Sequence, residues 1–161
     1  MDRRIFILGV PLLAMGVAPA RADPAFKRLL PLLVDLPGFT GAKADGMTME
    51  MGDGAMTTVG RKYTKGAASV DIAVVSGQAA VGALAPITSG MKIETTDGHM
   101  IPDTIDGFRA MRTYNNKEQS GALIVALAKD AVMTFGYRNL SEDDAVALAR
   151  KLDWKALAAA K

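Results

Sequence analysis

Cysteine is absent from all 161 residues, and histidine occurs once, at His99. The first absence removes disulfides and thiolate ligands, so an oxidising compartment adds no covalent staple to this chain. The second removes most zinc, haem and Ser-His-Asp chemistry, which leans on imidazole or thiolate. No serine stands in a Gly-x-Ser-x-Gly turn; Ser76-Gly77 and Ser89-Gly90 read as ordinary turn dipeptides. Gly52-Asp53-Gly54 lacks the third glycine and the following helix of a dinucleotide fingerprint. The carboxylates of Glu142-Asp143-Asp144 open a helix, where the backbone dipole favours negative charge. No residue is assigned a catalytic role, and the chain reads as a protein that is not an enzyme.

An apolar run long enough to span a bilayer is also missing. The start Met1-Asp2-Arg3-Arg4 is basic, the apolar stretch after it is interrupted by Pro11 and Gly16, and Ala20-Arg21-Ala22 is a small-residue cleavage pattern. This predicts an export signal over residues 1–22, cleaved after Ala22, and a single domain over residues 23–161 in the periplasm. Arg3-Arg4 followed by Ile5-Phe6-Ile7 resembles a twin-arginine signal, whereas the short leader and Asp2 suit the general secretory route. With no cysteine after the cleavage site, neither a lipoprotein anchor nor stable membrane insertion is expected.

Charge of one sign is lacking too. Of 19 basic and 17 acidic residues, Arg3, Arg4, Arg21 and Asp2 belong to the signal, so the chain from Asp23 onward is neutral. A neutral surface without basic runs argues against nucleic acid as a partner. Another periplasmic or envelope protein is the expected partner, and the chain itself is expected as a monomer or weak homodimer.

What is present is a change of period along the chain. Asp23-Pro24 opens a helix as N-cap and first position, carrying Phe26, Leu29, Leu30 and Leu33, with Pro31 and then Leu36-Pro37-Gly38 as stops. From residue 47 the period becomes two, turning at Gly52-Asp53-Gly54 into a strand with Thr57, Val59, Arg61 and Tyr63 on one face. Residues 78–87 read as a short helix broken before Pro86, and Lys129-Asp130 leaves room only for a tight hairpin. Ser141 caps a closing helix with Ala145, Leu148, Ala149 and Leu152 as its stripe, continued by Trp154 and Leu157. Strands joined by turns predict an α+β fold, with a largely antiparallel sheet of about six to seven strands. The N- and C-terminal helices and the short middle helix would cover its apolar face.

This order resembles the Mog1/PsbP-like α/β sandwich. The chain is also similar to small exported bacterial proteins that share three stretches. These are an LPGF/W turn (Leu36 to Phe39), a methionine-rich strand pair ending in R-x-Y (Arg61-Lys62-Tyr63), and a closing D-x-x-x-L helix (Asp153 to Leu157). The resemblance implies the fold and no defined activity.

The densest local signal is "GMTMEMGDGAM", residues 46–56, where four methionines fall in eleven positions. Thioether sulfur is soft, neutral and insensitive to pH, and it prefers Cu(I) to zinc or magnesium. Residues i, i+2 and i+4 of a strand share a face, so Met47, Met49 and Met51 can lean together, with Met56 returning on the paired strand. His99 and Met100 would add a nitrogen and a further sulfur if the fold brings them near. The same alternation also describes a half-buried strand with methionine as an adaptable filler, and both readings stand at this point. A third reading is an interaction surface built from Arg61, Tyr63, Arg112, Tyr114, Tyr137 and Arg138, since Arg and Tyr are enriched at interfaces. A fourth is a carrier of a small apolar ligand, with Leu123, Val125 and Phe135 lining a cavity.

Overall fold

Alternating residues such as Val70, Ile72 and Val74 form an apolar row along one strand, and burying such rows organises the molecule. The computed structural model describes residues 23–52 and 54–161; the expected export signal lies outside them. The chain begins with helix α1 (Ala25–Leu29), followed by a 3-10 turn (Leu30–Leu32). Strands β1 (Thr40–Gly41), β2 (Asp45–Met51), β3 (Gly54–Lys65) and β4 (Ala68–Ser76) come next, then helix α2 (Gln78–Ser89). The meander β5 (Ile93–Thr95), β6 (Gly98–Ile105), β7 (Phe108–Asn115), β8 (Ser120–Ala128) and β9 (Ala131–Arg138) leads to helices α3 (Glu142–Ala149) and α4 (Trp154–Ala160).

All strands join one antiparallel sheet of nine, in the order β1-β3-β4-β9-β8-β7-β6-β5, with β2 also paired to β3. The sheet is larger than the sequence suggests. The piece with no counterpart in the sequence pattern, β1, has two residues and is too short to show a period.

The inner face of the sheet packs against α1, α3 and α4. Its core includes Leu29, Val59, Ile72, Leu123, Phe135, Trp154 and Leu157. Full burial of each large apolar side chain contributes about 1.5–3 kcal/mol. Helix α2 lies on the outer face instead, where Ala80, Leu84 and Ile87 meet Met111 and Val132. The expectation that all helices share one apolar face is therefore corrected. Met111 and Val132 alternate with inward-facing Ala110 and Met133, so β7 and β9 are apolar on both sides and need cover on both.

Three helix boundaries also differ. Pro24 rather than Asp23 is the N-cap of α1, and Asp23 instead pairs with Lys27 one turn on, at 3.7 Å. Pro86 lies inside α2 without ending it. The carbonyl that Pro86 leaves unpaired is that of exposed Gly82, which water can satisfy. The closing helix is two helices, because Asp153 starts a new one by accepting a hydrogen bond from the Ala156 N–H at 2.9 Å. The expected caps and turns at Ser141 and Lys129-Asp130 are present.

Candidate functional site

The hairpin of β2 and β3 carries the methionines. Its register sets Met47 opposite Thr58, Met49 opposite Met56, and Met51 opposite Gly54. The turn between the last pair is two residues long, one shorter than the sequence suggests. Because Thr57, Val59 and Tyr63 are buried on the inner face, the alternation directs Met56, Thr58 and their partners Met49 and Met47 to the outer face. Helix α1 supports the hairpin from the inner side. A side chain at Gly46 would strike Val59 Cγ1 at 2.6 Å and approach Phe26 Cβ at 3.3 Å, so only glycine permits that approach.

Met47 and Met49 remain 54% and 42% exposed. Cβ atoms of directly paired residues such as Met49 and Met56 stand about 5 Å apart, and Met47 follows about 7 Å along β2. Flexible thioether side chains span such gaps. Half-buried Met56 also lines a groove of about 530 Å³ with Gln78, Ala79 and Val81 at the start of α2. Met47 lines another of about 550 Å³, beside Gly60, Lys62 and Asp71. The alternative of methionine as core filler is thus met by Met111 and Met133, both fully buried, and not by Met47 or Met49.

His99 and Met100 do not join this face. Six ladder steps separate β6 from β2, roughly 29 Å at ordinary strand spacing. Met100 packs beside the α2 cluster, and His99 lies on the inner face, its Nε2 3.1 Å from the Glu142 carboxylate. Among the described residues, no group of three or more His, Asp or Glu side chains is placed to hold a metal ion.

The Arg/Tyr set does not form one exposed surface. Arg61 donates to the carbonyls of Ala42 at 2.8 Å and Leu33 at 2.6 Å and pairs with Asp35, while its guanidinium stacks 5.1 Å from the Tyr63 ring centre. Tyr63 is fully buried and donates to the Val34 carbonyl at 2.7 Å. Burial raises its pKa, with Arg61 acting in the opposite direction. This pair ties the segment after α1 to β3. Arg138 is exposed at the end of β9, on the outer face.

Arg112, Tyr114 and Tyr137 meet at the start of α3, within a cluster the sequence did not reveal. Arg112 bridges Asp103 at 3.3 Å and Glu142 at 3.4 Å, and Glu142 also faces His99. Burial works to lower the Arg112 pKa, but the two carboxylates outweigh it and the net shift is upward. Tyr114 stacks between His99 and Tyr137, with ring centres 6.3 Å apart on each side. The Tyr137 hydroxyl reaches over Gly121, where an added Cβ would lie 2.5 Å from it. Burial and the Glu142 charge push the Tyr137 pKa up to about 12 against the opposing pull of Arg112. The signal for this cluster was scattered: Glu142 follows Arg112 by 30 residues and reads alone as helix-start charge.

Leu123, Val125 and Phe135 are at most 1% exposed and fill the inner core. The picture of a cavity lined by them is corrected accordingly. No helix among the described residues is long and apolar enough to cross a membrane. No family model, curated relative or solved structure matches this chain.

Proposed function

We propose that this is an exported periplasmic accessory protein, without catalysis, that binds Cu(I) through Met47, Met49 and Met56 on the outer face of the β2–β3 hairpin. The observation that supports this reading is the exposure of Met47 and Met49 on one face, with Met56 across the ladder from Met49. Methionine gains most by burial, and leaving two of them in water forgoes that gain. A soft cation compensates: three neutral thioethers bind Cu(I) without proton release and discriminate against hard divalent ions. His99 has no part in the site.

The test is an anaerobic Cu(I) titration of the mature chain against a chromogenic Cu(I) chelator. Replacing Met47, Met49 and Met56 together by leucine keeps apolar volume and removes the soft donors, so stability should move by less than about 1.5 kcal/mol. Copper capture should disappear. Equal capture by the wild type and this variant would end the proposal.

A further inference from the structure

We propose that Cu(I) joins two copies of this chain edge to edge along β2, the two strands pairing antiparallel about Thr48; this rests on the methionine site above. Strand β2 pairs only with β3 among the described residues, so its other edge is a row of unpaired backbone donors and acceptors. Over its seven residues it has no proline and no lysine, the usual guards of such an edge.

The phase of the hairpin and the length of β2 together decide the register. A two-residue turn closes on a hydrogen-bonded pair, here Met51 with Gly54, and bonded and non-bonded pairs then alternate. Thr48 and Thr57 form a non-bonded pair, in keeping with their hydroxyls approaching to 2.9 Å. The outward-facing backbone groups are therefore those of Gly46, Thr48 and Glu50. A twofold axis at Gly46 or Glu50 would pair only three of the seven residues, the latter opposing two like charges; one at Met47 or Met49 would pair five, and only the axis at Thr48 pairs all seven. The axis at Thr48 sets Met47 against the partner's Met49 and Glu50 against the partner's Gly46. No like charges meet.

In this arrangement all four of these methionines share the outer face. Within one chain Met47 faces Thr58, whose hydroxyl is a hard donor and a poor ligand for Cu(I). The partner's Met49 gives Met47 a soft neighbour directly across the new ladder, so that Met47 and Met49 of both chains set four sulfurs around one ion, with each Met56 next to its own Met49. A single strand edge buries less than the roughly 1,000 Å² that a stable interface needs, so the metal is required for association.

The experiment is sedimentation of the mature chain during anaerobic Cu(I) addition, with copper counted in each species. One Cu(I) per two chains in a dimer supports the inference. A copper-bound monomer overturns it while leaving the methionine site intact; no copper bound at all removes both. Thr48→Pro blocks an outward amide and should weaken dimerisation at least ~tenfold, with monomeric copper binding retained. Amide exchange of the wild type reads the same edge without a substitution. Copper-dependent protection at Gly46, Thr48 and Glu50 supports the pairing, and unchanged exchange there contradicts it.

Discussion

At the β2 margin of the sheet, Met47 and Met49 stand half-exposed on the outer face, bearing neutral sulfurs. Toward the opposite margin, on β6 and β7, the polar groups face inward and bind one another: Arg112 holds Asp103 and Glu142, and Glu142 holds His99. The second region contains the residue types usually credited with chemistry, yet its charges are spent on docking the start of α3 to the sheet. In the first, Lys62 and Asp71 pair with each other at the surface, and the thioethers of Met47 and Met49 are left half-exposed. The contrast places the available ligand capacity with the residues that are left over, not with the most polar ones.

The largest expected effect comes from breaking the β6–β7 cluster. Arg112→Ala would leave Asp103 and Glu142 partly buried without their cation, which costs about 3 kcal/mol or more when an ion pair is fully buried and about 2 kcal/mol at this partial exposure. Urea unfolding would read it as a lower midpoint, with Cu(I) capture unchanged. A loss of copper binding in a folded Arg112→Ala protein would show that the two regions are coupled.

Next in size is the alkaline limb. Tyr137 ionises near its ordinary value of 10 when unfolded, but is held at about 12 in the fold. The unfolded chain therefore loses its proton first, and the stability contributed by this group, complete below pH 10, is lost as pH rises toward about 12. Tyr137→Phe should flatten that part of the stability profile. An unchanged decline would place its origin elsewhere.

The smallest of these effects is a cap. Asp153→Ala removes the acceptor for the Ala156 N–H and should cost about 1 kcal/mol in thermal unfolding. A shift within error would mean that α4 is held by Trp154 and Leu157 alone.

These outcomes also mark what a sequence conveys. Local periods identified the alternation in β3 and β4, the tight β8–β9 hairpin and the Ser141 cap, because each is written within a few adjacent residues. The side of the sheet that α2 occupies is not local, since it follows from Met111 and Val132 facing away from Ala110 and Met133. The same limit applies to the site. Periodicity put Met47 and Met49 on a common face, but only the placement of α1 beneath Gly46 determined that the opposite face stays open. Arg61 and Tyr63 looked like surface residues because the carbonyls that hold them, at Leu33, Val34 and Ala42, are backbone groups with no sequence signature.

X-ray absorption at the copper edge, on the mature protein loaded anaerobically with Cu(I), tests the methionine site most directly. The account predicts a first shell of sulfur alone, unaltered by His99→Ala and lost when Met47, Met49 and Met56 become leucine. A nitrogen in that shell that vanishes with His99, or the same shell in the triple-leucine protein, would contradict it.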